Sequence, residues 1–212
     1  MSDPVKPDRR AQRRADTERR LAASATTLFV ERGYAATTLA DIAEHADIAP
    51  RTLYLHFSTK AELLLRCIGI AIAGDTDPIP LAARPAMTAT MTAATLAERL
   101  QLMATLTASL MERAGALLDV AFQAAPSEPA LAAAAAAGRA DTRRTLREFW
   151  QRTHDDGLLS GATDLEWLIE TATLVAHAET YLLIRRTTGW DITTYCEWLT
   201  TTWLRLAATR AG

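Results

Sequence analysis

Residues 37–64 read TTLADIAEHADIAPRTLYLHFSTKAELL. Two short apolar patterns at helical spacing lie there on either side of a tight turn. Thr38 opens the first. Its hydroxyl and Asp41, three residues on, make a capping box. Leu39, Ile42, Ala43 and Ala46 form the buried face of that helix. The turn falls at Asp47-Ile48-Ala49. Pro50 has no N–H to lose and suits the first position of a second helix, running to about Phe57. Ile42, Ala46, Ile48 and Leu53 close the angle between the two, and the small Ala43 permits a close crossing. The outer face of the second helix stays free, which is the geometry of a helix-turn-helix. Arg51, Thr52, Tyr54, Leu55 and His56 offer donors, a ring and an apolar contact there, types that suit phosphates and base edges.

Upstream, Leu21, Ala25, Leu28 and Phe29 repeat on one face of a helix expected from Arg13 to Arg32, with Gly33 as its left-handed stop. Downstream, Ser58 is expected to cap a helix over 59–74. Residues 75–93 change character. Asp77-Pro78-Ile79-Pro80 and Arg84-Pro85 forbid a regular helix and read as a loop or short linking helix. Thr95 and Glu98 form a second capping box, for a helix to about Glu112 and a further piece to Ala124. Ser127 is the expected cap of a long helix that carries the alanine run 132–137 and ends near Asp155. Asp164 or Thr163 should cap a long helix to Thr188-Gly189, and Asp191 a last one to Ala208. The chain is therefore expected to be all-α, with a three-helix head on a larger helical body. The expected division is 13–60 for the head, 61–74 for a connecting helix and 75–212 for the body.

Composition agrees with a helical chain. The 212 residues are 49% hydrophobic, with nine glycines and eight prolines, enough apolar matter for a core and few helix breakers. The net charge of −2 says nothing of DNA, but residues 1–60 carry +2 and the remainder −4. Lys6, Arg9, Arg10, Arg13, Arg14, Arg19 and Arg20 crowd the first twenty positions, a cluster able to approach phosphates. The two cysteines, Cys67 and Cys196, have no metal or disulfide spacing. No metal and no cofactor are expected, no apolar stretch is long enough for a membrane span, and no secretory signal follows the basic start. A cytoplasmic protein is the expectation.

The run Thr38…Ile42-Ala43, Thr52-Leu53-Tyr54-x-His56-Phe57, Ser58-x-Lys60-x-x-Leu63, preceded by Leu28-Phe29-x-x-x-Gly33-Tyr34-x-x-Thr37-Thr38, resembles the signature of the TetR family of bacterial transcription regulators. The likeness covers roughly residues 17–65, about a quarter of the chain. It implies a homodimeric repressor that binds double-stranded operator DNA and is released by a small hydrophobic or amphipathic effector. It further implies DNA contacts at Thr38, Arg51, Thr52, Tyr54, Leu55, His56 and Lys60, with Tyr54 and Lys60 on phosphates. Two positions depart from the family pattern. Asp47 stands where glycine is usual in the turn, and Ala49 where serine or threonine often caps the recognition helix.

In such a family the body senses and dimerises. Met103, Leu106, Phe149 and Trp150 supply adaptable apolar lining for an effector, with Trp167 and Thr171 as polar-edged neighbours. His177, Tyr181 and Ile184 on one helix, and Tyr195, Trp198, Leu199, Thr202 and Leu206 on the last, are candidates for a two-fold interface. Rival readings are a redox-responsive regulator using a cysteine, a helical enzyme and an architectural DNA binder. Against the enzyme stands the lack of a phosphate loop, nucleophile elbow or paired-carboxylate motif. Glu170 and His177, seven apart on one expected helix, are the weak exception.

Overall fold

A computed structural model describes residues 9–74 and 83–209, with side chains from residue 12 onward. Lys6, the side chains of Arg9 and Arg10, and the Asp77-Pro78-Ile79-Pro80 break lie outside the described residues. Among the described residues ten helices follow in order: α1 (Arg9–Arg32), α2 (Leu39–His45), α3 (Pro50–His56), α4 (Lys60–Ala73), α5 (Pro85–Thr92), α6 (Leu96–Ala124), α7 (Pro129–Asp155), α8 (Leu165–Ala176), α9 (Ala178–Thr188) and α10 (Ile192–Ala208). No strand occurs among the described residues.

The head forms as its local signals dictate. Leu21, Ala25, Leu28 and Phe29 are buried along α1, and Gly33 ends it at φ 78°. Thr38 and Asp41 make the reciprocal capping box of α2. Four expectations need correction. Thr59, not Ser58, caps α4, its hydroxyl accepting from the Glu62 amide. Ser58 instead gives its own N–H to the Glu62 carboxylate. Residues 96–124 form one helix rather than two. Ser127 does not cap α7, because its hydroxyl donates to the Ala124 carbonyl and Glu128 stands at the cap position. The long helix expected from 164 to 188 breaks at His177, whose backbone is extended at φ −62° and ψ 145°. The break separates Glu170 from His177, which removes the shared helix face that spoke for an enzyme.

Two apolar clusters fill the molecule. The first holds the head, α4 and the C-terminal half of α6, where Leu117, Val120, Ala121 and Ala124 sit with Leu131 of α7. The second packs α5 to α10 around Phe149, Trp150 and Trp203. The head is thus not a free unit, since its core is completed by residues of the body. Arg113 of α6 strengthens the join, donating to the Ala71 carbonyl at 2.9 Å and the Ile72 carbonyl at 3.1 Å, which are acceptors left open at the end of α4.

Gly115 stands inside α6 for a packing reason. A glycine in a helix interior costs roughly 1 kcal/mol against alanine, and here it makes room. A Cβ at that position would lie 2.8 Å from Cε1 of Tyr181, so α9 reaches α6 only because the side chain is absent. Gly115→Ala is expected to lower stability by about 1–3 kcal/mol through overpacking despite its better helix propensity. Thermal unfolding checks it, and an unchanged or raised midpoint would contradict the packing described.

Candidate nucleic-acid interface

α3 is seven residues long with no side-chain cap at Ala49. Pro50 occupies its first turn and Leu53 is fully buried beneath it. The outer face carries Arg51, Tyr54 and Leu55. Tyr54 is 59% and Leu55 75% exposed, the latter an unusual exposure for a leucine. Thr52 and His56 are half-buried on the flanks. Thr38 is exposed at the start of α2, and its hydroxyl is engaged by the Asp41 amide at 3.1 Å. The Asp41 carboxyl is held below its usual range by the Thr38 hydroxyl, and then by the Thr38 N–H that donates to it at 2.9 Å.

The turn between α2 and α3 is strained and braced. Asp47 has φ 52°, the left-handed region that aspartate tolerates better than most residues. Arg20 of α1 reaches across, donating to the Ala46 carbonyl at 2.7 Å and the Asp47 carbonyl at 3.3 Å. The turn is therefore tied to the first helix at the point where glycine is missing.

Lys60 does not extend toward the α3 face. Its ammonium donates to the carbonyls of Tyr34 at 2.6 Å and Thr37 at 2.8 Å and lies 4.1 Å from the centre of the Tyr34 ring. Thr37 is itself buried, its hydroxyl donating to Gly33 at 2.8 Å. Tyr34 stacks on Phe29 with ring centres 5.9 Å apart. Burial first, and then the Glu128 carboxylate, push the Tyr34 hydroxyl up to about 12. Arg20, Tyr34 and Thr37 are the positioning residues that sequence reading missed. The only local signal was Tyr34 and Thr37 inside the quoted motif, and nothing local pairs them with Lys60.

The body places its candidates unevenly. Met103, Phe149 and Trp150 meet in the second cluster, with Leu106 at its edge. Trp167 faces outward and Thr171 is half-buried on α8. Tyr181, Tyr195 and Leu199 are buried within their own chain. They cannot also supply a surface to a second chain, which corrects their assignment to an interface. His177, Ile184, Trp198, Thr202 and Leu206 remain partly open. The exposed large apolar residues among the described part of the body are Leu102 on α6, Trp167 and Leu174 on α8, Leu183 on α9 and Leu204 on α10. Glu170 is engaged by Arg143 and Arg147, whose guanidinium groups hold its carboxyl below the usual range. No group of three potential metal ligands occurs among the described residues, and no helix there is long and apolar enough to cross a membrane.

Asp47→Gly is expected to raise the unfolding midpoint, relieving up to about 1 kcal/mol of left-handed strain. A fall in the midpoint would mean that the Asp47 side chain itself stabilises the turn.

Residues 21–67 match the model for bacterial regulatory proteins of the tetR family. The chain is 42% identical over 64 residues to the HTH-type transcriptional activator FasR of Mycolicibacterium smegmatis, a match that covers 29% of each protein. The chain thus spans under a third of that relative's length. Over the whole fold it is similar to a TetR-family regulator structure from Syntrophomonas wolfei, with TM-score 0.69 at 13% identity, covering 92% of this chain and 96% of that one. It is similar too to a transcriptional regulator from Saccharomonospora viridis solved in complex with choline, with TM-score 0.66 at 16% identity, covering 88% and 95%. The head, over residues 21–67, thus matches the tetR family of bacterial regulatory proteins, and the fold of the whole is similar to that of TetR-family regulator structures.

Proposed function

We propose that this chain is a sequence-specific DNA-binding regulator that acts as a homodimer and releases its operator when a small molecule enters the body. The observation that carries the reading is the outer face of α3. Arg51, Tyr54 and Leu55 stand in solvent on a helix whose opposite side is locked into the core. Exposed rings and leucines on so short a helix have no packing reason, whereas thymine methyls and phosphates give them one. Repression is the expected direction. Tyr54 serves a phosphate, and Arg51, Thr52 and Leu55 read bases, with His56 and Thr38 at the edges. Lys60 acts one step back, by aiming the loop before α2.

The dimer surface in this reading is the outward side of α8, α9 and α10. Leu174 is 63% and Leu183 60% exposed, and Trp167 and Leu204 extend the patch. A sensor based on Cys67 is disfavoured, because burial raises its thiol to about 11 and the reactive thiolate is then scarce.

Footprinting on DNA flanking the chain's own gene tests the head. Arg51→Ala should relax preference at one base pair by roughly 1–3 kcal/mol. Lys60→Ala should lower both the melting point and affinity for every sequence while leaving the salt slope unchanged. A phosphate contact would instead flatten that slope by about 0.9, and such flattening would restore Lys60 to the DNA surface. Leu174→Glu with Leu183→Glu should give folded monomers that no longer hold a full operator. A dimer that survives both, in light scattering, would place the interface elsewhere.

A further inference from the structure

The second cluster holds a pair of buried donors that nothing in the fold uses. Arg99 is the one charged side chain buried among the described residues, at 3% exposure. Its Nη2 donates to Asp156 at 2.9 Å and to the Ala93 carbonyl at 2.9 Å. Nη1 lies 3.5 Å from the Thr153 hydroxyl. Its Nε–H has no partner among the described residues, and neither has the indole N–H of Trp150, which is fully buried. The two belong to one neighbourhood. Thr153, which Arg99 touches, lies three residues from Trp150 on α7 and so shares its helix face. An unpaired buried N–H sacrifices its hydration for nothing, which is why native cores rarely keep one. Three such side-chain groups occur among the described residues, these two and the Tyr195 hydroxyl of the same cluster.

The surroundings suit entry of a guest. Apart from Met1, every methionine of the chain belongs to this cluster: Met87, Met103 and Met111 are buried and Met91 packs at its edge. Methionine repacks around shapes that stiffer side chains refuse. Ala93, held by Arg99, also lines an open groove of about 730 Å³ between α5 and α6, with Ala89, Ala97 and Leu102.

Resting on the reading of the body as an effector sensor, we propose that the Arg99–Trp150 pair is its polar anchor, taking a neutral apolar molecule that carries a carbonyl-type acceptor. Both open groups donate, so the guest must accept. Its charge follows from Arg99, whose positive charge is already met by Asp156. A carboxylate would be a buried anion at an arginine already paired with Asp156, which lies at the surface and is shared with the exposed Arg152 at 3.0 Å, so no unpaired buried cation is left to match it. A ketone, ester, lactone or amide oxygen satisfies both donors and adds no charge. Trp150 is edge-on to Trp203, with centroids 6.5 Å apart, so apolar ring surface borders the anchor.

Acetophenone, ethylbenzene and benzoate share a shape and differ at the polar end, and all three can be titrated into the full chain. Calorimetry gives affinity, and proton–nitrogen NMR follows the Trp150 indole signal, identified by its loss in Trp150→Phe. Acetophenone is expected to bind about 5–10-fold more tightly than ethylbenzene, the worth of one or two hydrogen bonds. It should also move the Trp150 indole proton downfield, with benzoate the weakest of the three. In Trp150→Phe the preference for the ketone should fall below about twofold. An indole signal unmoved by saturating acetophenone would give the donors to bound water and overturn the proposal. So would tighter binding of benzoate, or no binding of acetophenone at millimolar concentration. Operator release is read separately: acetophenone bound at Trp150 without release supports the site and removes the sensor reading instead.

Discussion

A helix of two turns has no stability of its own in water, because fixing its first turn costs more than its few hydrogen bonds return. α3 is such a helix, and it lacks even a side-chain cap. Everything it offers to a partner therefore depends on what grips its other side. Leu53 beneath it is fully buried among residues of α1, α2 and α4. The turn that delivers it is bonded to Arg20, and the loop before α2 is bonded to Lys60. These ties come from both flanking helices, so the exposed face of α3 can be devoted to recognition without the helix fraying.

The same ties couple the head to the body. Lys60 holds Tyr34, and Tyr34 meets Glu128 at the start of α7. The end of α4 is held by Arg113 of α6. A change in how α6 and α7 pack around Trp150 would reach α4 and the recognition helix through these contacts. Each ligand state would then favour one spacing of the two heads. A coupling of about 1–3 kcal/mol between ligand and operator is the usual scale for such devices.

The head was legible in the sequence because its signals are local. Thr38 with Asp41, Gly33, Asp47 and Pro50 each act on a backbone within four residues, and the likeness to the tetR family supplied the roles. The body was legible only in outline. The break expected after Glu112 does not occur, and Gly115 nearby is where Tyr181 of α9 approaches α6. His177 carries no helix-breaking chemistry, and its break is set by α9 turning to lie on α6. Apolar faces were visible at Tyr181, Tyr195 and Leu199, yet spacing alone does not tell an inward face from an outward one. The bonds of Lys60 to the Thr37 and Tyr34 carbonyls were not legible for the converse reason: those partners are 23 and 26 residues away, beyond the reach of pattern. The unpaired donors of Arg99 and Trp150 are absences, and no sequence motif announces them.

The central claim is that two copies of α3, presented by a dimer, read DNA. Selection of bound duplexes from a random-sequence pool by the purified full chain addresses it directly. The account predicts enrichment of a two-fold symmetric motif, its half-sites centred about one helical turn or somewhat more apart, and its loss on Arg51→Ala. A pool that stays random, or that yields a single asymmetric half-site, would contradict it.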